Sequence, residues 1–450
     1  MENSRKSRSE DLTGHVAAVL SFIPPGASLL LGLSGGVDSV VLLHLLRQLA
    51  PRFHWRLSAL HVHHGISPQA DAWSGFCAEL CLRYAVPLHL EKVDIGPLRA
   101  LGVEAAARRL RHAALARQQV DFVILAHHLD DQAETMLLQL LRGSGLRGAS
   151  AMPLLRRRAG APTLVRPLLD VARTELLAYA QQHSLPWVED ESNADDAYPR
   201  NFLRHRVLPS LAQRFPAYRT TLSRSARHFA EASDLLEQLA QQDGSGAIHD
   251  DRLDLARLRQ LDPTRAKNLL RSFITARGAI PDSTRLDETL RQLYQAGPDA
   301  AVCIDYAGWQ IRCYHDQVFV LPRLPELNPQ LSVRWNREAA LPLPALGGTL
   351  YFDTAPGQGL SLEKLQQHEV TVRLRRGGER IRLHARRPVK TLKNLFQEHN
   401  IPPWQRDRLP LLFCGDRLVA IPGIGIDCAC QAAPAEPGRL PRWENNSHTE

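Results

Sequence analysis

Short apolar runs alternate with longer helical patterns between Ser28 and Leu141. The runs predict buried strands, and the longer stretches have the apolar spacing of helices. Alternation of this kind predicts an α/β fold, namely a mostly parallel, doubly wound sheet that is covered by helices on both faces. The predicted strands are Ser28–Leu33, Leu57–Val62, Leu88–Val93 and Phe122–Ala126, and the predicted helices are Val40–Leu49, Ala72–Tyr84 and Val103–Gln118.

The pattern changes after this sheet. A helix is predicted over Arg173–His183, and the stretch from Pro216 to Gly297 is helical throughout, which indicates a separate helical domain. Three short strands are expected to finish that domain, around Ala301–Ile304, Gln310–Tyr314 and Val318–Leu321.

The proline-rich stretch Pro322–Pro344 is predicted to be a linker with some extended structure. A small α+β domain follows it, with an amphipathic helix at Thr391–His399 and strands near Leu411–Cys414 and Leu418–Ile421. A chain of 450 residues exceeds the roughly 250–300 residues at which a single core stops growing. We therefore expect three domains, over residues 1–215, 216–325 and 326–450.

The segment Ser34–Ser39, Ser-Gly-Gly-Val-Asp-Ser, lies between a predicted strand and a predicted helix. Unpaired N–H groups at a helix N-terminus can bind phosphate oxygens, and Gly35 and Gly36 allow the backbone to approach them closely. Asp38 would repel phosphate unless a divalent cation lay between them, so a magnesium nucleotide is the natural ligand. The alternative is a glycine-rich turn without a ligand, since short glycine motifs also occur by chance.

Other polar segments also follow predicted strands. His63, His64 and Gly65 come after the second strand, and the segment His127–Asp131 comes after the fourth. Because ligands of such folds bind at the carboxyl ends of the strands, we expect these segments to share one edge of the sheet with Ser34–Ser39. Four imidazoles at one edge could suggest zinc, but the tighter ligand spacing with cysteine that is usual for zinc sites is missing.

Two charged patterns each allow a structural and a functional interpretation. Arg108 and Arg111 are three residues apart on a predicted helix and share a face, which could be solvated or could contact a ligand. Asp131 and Glu134 are three apart at the start of another helix, where carboxylates are also good caps. As a functional pair they would bind amino groups.

Composition narrows the class of protein. The formal charge of +8 and the pI of about 9.3 make RNA a plausible partner, although a solvated basic surface explains the same numbers. Seven cysteines in so long a chain do not form a disulfide framework. Neither a signal peptide nor an apolar run of about 18 residues is evident, so a cytoplasmic location without membrane contact is expected.

Several motifs, in order and spacing, resemble the tRNA(Ile)-lysidine synthetase family within the N-type ATP pyrophosphatases, or PP-loop proteins. The resemblance extends from about Ser28 to Asp427. Besides Ser34–Ser39, the segments that carry it are His61–Ile66, Glu104–Arg111, His127–Thr135, Leu140–Gly148, Pro186–Asp190, Tyr198–Asn201, Arg376–Arg380, Leu392–Glu398 and Ile401–Trp404.

The resemblance implies a ligase that attaches L-lysine to C2 of cytidine 34 in a tRNA(Ile) with a CAU anticodon. ATP would adenylate the C2 oxygen with release of pyrophosphate, and the lysine amine would then displace AMP. Mg²⁺ is the implied cofactor, with Asp38 as its ligand. The sequence leaves the oligomeric state open, with a homodimer as one alternative.

The same resemblance assigns site residues. The implied catalytic residues are Asp38, Arg108, His127, Asp131 and Glu134. The implied nucleotide-binding residues are Ser34, Gly35, Gly36, Val37, Asp38, Ser39, His61, His63, Arg111 and Arg200.

Two rival functions predict different features. A related tRNA thiolase is expected to carry catalytic or cluster-binding cysteines, often as Cys-x-x-Cys, and no such pair occurs in the sequence. An RNA-binding protein on a degenerate nucleotide fold is expected to have lost Asp38 or the acidic helix start, and both remain.

Overall fold

A computed structural model describes residues 11–191, 195–280, 282–297, 302–306, 308–366, 368–434 and 436–445. The chain divides into two compact units, Met1–Leu239 and Ala240–Glu450. None of the helices in the described ranges is long and apolar enough to span a membrane.

The first unit is built on a six-stranded sheet of order β3-β2-β1-β4-β6-β5. All neighbouring pairs are parallel except β5 with β6, so the predicted doubly wound α/β sheet is confirmed. The strands are β1 Ser28–Gly32, β2 Arg56–His63, β3 Leu88–Lys92, β4 Phe122–Ile124, β5 Leu155–Arg158 and β6 Ala161–Val165.

Helices connect these strands and continue after them. Within the described residues they are α1 Leu12–Val19, α2 Val37–Phe53, α3 Ala70–Arg83, α4 Val103–Ala116, α5 Leu129–Leu141, α6 Leu146–Ala149, α7 Arg173–Gln182, α8 Pro199–Phe202, α9 Leu208–Arg214 and α10 Tyr218–Gly244. A π-helical turn, Leu203–Val207, joins α8 to α9.

Strand β1 shows why the sheet has helices on both faces. Leu29 and Leu31 point into a large core that includes α2, while Leu30 points into a second core with Leu60 and Val123. Because side chains alternate along a strand, a continuous leucine run can fill both cores. The order of the strands reverses between β1 and β4, which makes their carboxyl ends a switch point where ligands bind.

The second unit begins with a mixed module rather than the helical stretch that the sequence predicts. After α10, the chain forms a β-hairpin and only then three helices and three strands. The hairpin joins a five-stranded sheet of order β7-β8-β11-β10-β9. These elements are β7 Ile248–His249, β8 Arg252–Asp254, α11 Leu255–Gln260, α12 Pro263–Ala276, α13 Ser283–Gln295, β9 Cys303–Tyr306, β10 Trp309–Tyr314 and β11 Gln317–Pro322.

The expectation of helix throughout 216–297 is therefore wrong at the hairpin. Its turn has positive φ angles at Asp250 and Asp251, a conformation that a helix cannot include. Leu253 of β8 is fully buried, so an apolar position that would also suit a helix face belongs to a strand instead. The predicted strand start at Ala301 lies outside the described residues.

The remaining part of the second unit is mainly antiparallel. One sheet has the order β12-β15-β18-β19-β20, a second the order β13-β14-β21, and β16 pairs with β17. The elements are β12 Ser332–Arg334, β13 Ala340–Leu343, β14 Gly348–Pro356, β15 Val370–Arg373, β16 Arg380–Ile381, β17 Lys390–Thr391, α14 Leu392–Glu398, α15 Pro403–Arg406, β18 Leu411–Cys414, β19 Arg417–Ile421, β20 Gly425–Ile426 and β21 Pro437–Asn445.

The proline-rich stretch 322–344 is more than a linker. It contributes β12 and β13 to these sheets, and Trp335, Leu341 and Leu343 are buried in the core. Both β12 and β13 are edge strands, so Pro342 within β13 is compatible with this role, because an edge position need not donate a ladder hydrogen bond.

Candidate active site

The loop between β1 and α2 has a geometry that suits an anion, and we call it the phosphate cradle. Helix α2 begins at Val37, and its N-cap residue Gly36 supplies no side-chain cap. The first N–H groups of a helix lack intrahelical acceptors, so they remain available to phosphate oxygens. Inside the loop, Ser39 Oγ donates to the Gly36 carbonyl at 2.9 Å and lies 3.1 Å from Ser34 Oγ.

Gly35 fixes the shape of this loop. Its φ of +89° lies in the region that favours glycine, and a Cβ there would come within 2.9 Å of Val188 Cγ2. Val188 also donates its N–H to the Gly35 carbonyl at 3.0 Å. The loop is therefore held by the Pro186–Asp190 segment as well as by its own hydroxyl groups.

Asp38 lies in the first turn of α2 with an unsatisfied acceptor. Its Oδ1 atom is buried and has no hydrogen-bond partner, while Oδ2 lies 3.6 Å from His128 Nε2. A buried carboxylate oxygen without a donor is unfavourable unless a ligand completes it. Beside a phosphate cradle, that atom fits a hard cation such as Mg²⁺, which prefers carboxylate and phosphate oxygens.

His128 connects this loop to α5. The ring is 2% exposed and forms the N-cap of α5, where Nδ1 accepts a bond from the Asp131 N–H at 3.4 Å and Asp131 Oδ2 accepts one from the His128 N–H at 3.0 Å. Burial alone would lower the pKa of His128, but Asp131, Asp38 and Asp130 outweigh it and raise that pKa. His128 thus brings together the ends of β1 and β4, as the rule for such sheets predicts.

Asp131 and Glu134 point toward two arginines from a distant segment. Arg200 and Arg204 are four residues apart, across α8 and the π-helical turn, and both face α5. Arg200 donates to Glu134 Oε2 at 2.7 Å and to Asp131 Oδ1 at 2.6 Å. Arg204 donates to Glu134 Oε1 at 2.7 Å and to Oε2 at 2.9 Å.

This ion-pair cluster is buried on its acidic side. Glu134 is 1% exposed, and both of its oxygens are occupied by guanidinium groups. Burial would raise the pKa of Asp131, yet His128 and Arg200 outweigh it and lower the pKa to about 2. Asp131 is therefore charged at neutral pH, and an incoming ammonium would have to compete with the two arginines for these carboxylates.

His127 lies among Asp131 and three arginines. Burial, with repulsion from Arg166, Arg200 and Arg108, lowers the pKa of His127 to about 3 even though Asp131 opposes the shift. Its Nδ1 atom is buried and has no partner. Burial and Arg111 likewise lower the pKa of His64 to about 4, and neither of its ring nitrogens has a partner.

Two other predicted nucleotide-binding residues have protein partners. His61 is 6% exposed, and its Nδ1 lies 2.9 Å from the Leu33 carbonyl, which makes it a support beneath the loop. His63 Nε2 lies 3.1 Å from Asp71 Oδ1.

The predicted arginines lie on α4. Arg108 and Arg111 keep contact with solvent, but the protein around them desolvates each guanidinium enough to lower its pKa. Repulsion from Arg200 adds to the pKa shift at Arg108, so Arg108 lies beside the acidic cluster.

The structure adds Arg166 to the predicted residues at this edge of the sheet, and nothing in the sequence had marked it. His128 belongs to the segment His127–Asp131 that was expected here, and its role as the cap of α5 suits its position directly before an acidic helix start. For Arg204 the sequence predicts contact with phosphate together with Arg200, whereas the structure pairs both arginines with Glu134.

Fold and loop together define the class of protein. A phosphate cradle with an embedded carboxylate, at the switch point of a parallel sheet, is the site of a PP-loop nucleotide-binding protein. Residues 12–211 match the PP-loop domain, residues 253–319 the TilS substrate binding domain, and residues 370–443 the TilS substrate C-terminal domain.

Similar proteins cover nearly the whole chain. A tRNA(Ile)-lysidine synthase of Nitrosomonas europaea is 45% identical over 426 residues, which are 94% of this chain and 93% of that protein. That of Coxiella burnetii is 40% identical over 406 residues, which are 90% of this chain and 89% of that protein. That of Azoarcus sp. is 42% identical over 438 residues, which are 96% of this chain and 96% of that protein. The chain belongs to the tRNA(Ile)-lysidine synthase family of enzymes, and its PP-loop domain implies the use of ATP.

Proposed function

We propose that this enzyme joins L-lysine to C2 of cytidine 34 in a tRNA(Ile) with a CAU anticodon, using ATP and Mg²⁺. The observation that carries the proposal is the contact between two motifs: Asp38 of the phosphate cradle lies 3.6 Å from His128, which caps the helix bearing Asp131 and Glu134. A phosphate-binding loop and an acidic helix start thus form one site. The product would read A instead of G at the third codon position.

The cradle is suited to the first half of the reaction. Ser34, Ser39 and the N–H groups that begin α2 would hold the phosphates of ATP, and Asp38 would hold Mg²⁺ through its unsatisfied oxygen. Bound Mg²⁺ neutralises charge that develops on the leaving pyrophosphate. Arg108 and Arg111 would lie near the nucleotide or the target base, where cations stabilise negative charge.

The acidic cluster is suited to the second half. We propose that lysine binds where Arg200 meets Asp131, and that Arg200 turns toward phosphate as the ammonium replaces it. The exchange substitutes one cation for another, so the buried carboxylates stay paired throughout. His127 is neutral at pH 7 because its pKa is about 3, and its free Nδ1 can accept a hydrogen bond from the incoming amine.

We further propose a division of labour along the chain, with catalysis in 1–215 and tRNA binding in 216–325 and 326–450. The matches to the two TilS domains in the later residues support it. A monomeric or homodimeric state and a cytoplasmic location stay predictions, and light scattering of the purified protein would measure the first.

The decisive experiment measures AMP release from ATP with lysine and transcript tRNA supplied separately and together. The proposal expects lysine-dependent AMP release only when tRNA(Ile) with a CAU anticodon is present, and lysidine in the digested tRNA. Release that is indifferent to lysine but requires a sulfur donor would instead identify a tRNA thiolase. Binding of tRNA without any AMP release would identify a non-enzymatic RNA-binding protein.

A further inference from the structure

Arg166 is a buried cation with unused hydrogen-bonding capacity. It lies directly after β6 and is 3% exposed. Its Nη1 donates to the Pro153 carbonyl at 2.8 Å, but its Nε has no partner. Among the described residues no carboxylate lies within ion-pair distance of it. A guanidinium has five donors, and burying one without an anion is costly, so Arg166 has the character of a site that awaits an anion.

The backbone places Arg166 at the active-site edge. Strands β4 and β6 are parallel, with Ile124 opposite Val165, and the pairing continues through a bridge between His128 and Leu168. Arg166 therefore lies alongside the residues that lead into α5, next to His127. Consistent with this position, its charge lowers the pKa of His127.

Two more arginines lie close to Arg166. Burial, followed by repulsion from Arg156 and Arg108, lowers the pKa of Arg166 to about 10. We call Arg108, Arg156 and Arg166 the arginine trio. The buried carboxylates of Asp131 and Glu134 are already paired with Arg200 and Arg204, and neither forms an ion pair with Arg166. Positive charge thus lies beside a separate acidic cluster.

We infer that the arginine trio, with Arg166 at its buried end, binds the α-carboxylate of the amino-acid substrate. This inference rests on the proposed function. An α-amino acid carries both signs of charge, and so does this end of the site, with carboxylates on α5 and arginines on α4, on β5 and directly after β6. A guanidinium fork matches the two oxygens of a carboxylate.

Other anions explain the arrangement less well. In the proposed function, the triphosphate of ATP is bound by the N-terminus of α2 and by the hydroxyl groups of the loop. A phosphodiester of tRNA carries no ammonium group, so it would not account for the carboxylates beside the trio. The combination of opposite charges favours the zwitterion.

The test compares L-lysine with L-lysinamide, which keeps both amino groups but lacks the carboxylate. In wild-type enzyme the KM should be at least about tenfold lower for lysine than for lysinamide, because only lysine pairs with Arg166. In Arg166→Gln this preference should collapse toward equality, through a higher KM for lysine and an unchanged KM for lysinamide. Arg166→Lys, which keeps the charge but not the fork, should restore part of it.

Two further variants keep the test decisive. Arg157→Gln removes an exposed arginine from the same hairpin and should retain the wild-type preference. Arg156→Gln changes an exposed trio member, so it can show a reduced preference even if Arg166→Gln does not fold. Circular dichroism of each variant checks folding.

The inference is overturned if Arg166→Gln or Arg156→Gln keeps the wild-type ratio of the two KM values. It is equally overturned if these variants raise the KM for tRNA or ATP while the ratio stays the same, since the trio would then bind phosphate. If the wild-type enzyme uses neither lysine nor lysinamide, the proposed function itself fails. That result differs from the two outcomes above, in which the wild-type enzyme is active with lysine.

Discussion

Several single residues at this site share one feature, which is a buried polar atom without a hydrogen-bond partner. Asp38 Oδ1, His127 Nδ1 and Arg166 Nε are all buried without a partner in the protein. Most buried polar groups in proteins are hydrogen-bonded, so several exceptions at one edge of one sheet indicate a ligand-binding site. Their chemistry is complementary, because they offer an acceptor for a cation, an acceptor for an amine and a donor for an anion.

At this scale, Asp38→Asn is the clearest change. We expect it to reduce tRNA-dependent pyrophosphate release by roughly 100-fold or more, because an amide cannot replace the charge that holds Mg²⁺. The measurement is a pyrophosphate assay without lysine, which isolates adenylation. Asp71→Asn, at a carboxylate whose side chain is 85% exposed, serves as the control. Equal rates for wild type and Asp38→Asn would remove Asp38 from the reaction.

Secondary-structure elements decide whether these atoms meet. The loop before α2 depends on the positive φ angle of Gly35, and the start of α5 depends on His128 as its N-cap residue. The pairing of Arg200 and Arg204 with α5 then attaches the segment from α8 to the π-helical turn onto the sheet domain. Each of these elements can be tested by one substitution.

Gly35→Ala tests the loop. A Cβ at φ +89°, within 2.9 Å of Val188, should cost about 1–2 kcal/mol and weaken ATP binding, because the loop must change shape. Isothermal calorimetry with Mg·ATP and urea unfolding provide the two readouts. Gly75→Ala, in the middle of α3 with open space around it, should instead stabilise the protein by about 0.5–1 kcal/mol. Unchanged nucleotide affinity in Gly35→Ala would show that the loop tolerates the side chain.

Glu134→Gln tests the buried ion pair. Removing one charge leaves Arg200 and Arg204 partly uncompensated, so the free energy of unfolding should fall by roughly 3 kcal/mol. The KM for lysine should rise more than the KM for ATP. The matched change at a more exposed pair, Glu91→Gln beside Arg117, should cost less than about 1 kcal/mol. If both KM values rise equally, Glu134 is a structural residue only.

The whole molecule combines a basic surface with a histidine-rich active site. Its net charge of +8 is expected to attract polyanions, and exposed arginines such as Arg386 and Arg387 belong to the residues matched by the TilS substrate C-terminal domain. In the first unit, the partly buried rings of His64, His112 and His127 have lowered pKa values and resist protonation. Salt concentration should therefore change tRNA binding, whereas pH should change the stability of the first unit.

Salt dependence should reveal the role of the second unit. Changing Arg386 and Arg387 to glutamine should weaken tRNA binding and flatten the log–log salt slope by about 0.9 for each duplex phosphate contact that is lost. Filter binding between low and moderate salt measures the slope. The pair Arg323→Gln and Arg337→Gln, also exposed in the second unit, provides a charge-matched control. If the slope does not change, other residues bind the phosphates.

Lower pH should destabilise the first unit. His64, His112 and His127 have pKa values lowered by burial and nearby arginines to about 4, 4 and 3, whereas the unfolded chain titrates near about 6.5. Between pH 7 and pH 4 only the unfolded chain gains these protons, so the free energy of unfolding falls across that window. Urea unfolding at pH 7 and pH 5 measures the loss.

Substitution of one of these histidines tests whether they cause the loss of stability at low pH. His112→Gln should reduce the difference between pH 7 and pH 5 by roughly 1 kcal/mol, discounted for its partial exposure. His89→Gln, at an exposed histidine, should leave the difference unchanged. Identical pH dependence in both variants would contradict the assignment to buried histidines.

The sequence was sufficient where local patterning decides structure. The four predicted strands of the parallel sheet agree with β1 to β4 to within one or two residues at each end. The largely buried strands β1 and β4 stand out most clearly, because they are continuous apolar runs. The glycines and serines of the phosphate cradle were also readable, since a strand, a small-residue loop and a helix start follow one another directly.

Only the tertiary structure decided which of the charged groups are paired. Glu134 meets Arg200 and Arg204, which lie 66 and 70 positions further along the chain, and no periodic pattern records such distant contacts. The hairpin at Ile248–Asp254 was missed for a related reason, since its strands are stable only within the sheet that β11 completes. Arg166 is a similar case. The sequence does not show that this arginine is buried or that its Nε has no hydrogen-bond partner, and only these two facts make it a candidate anion site.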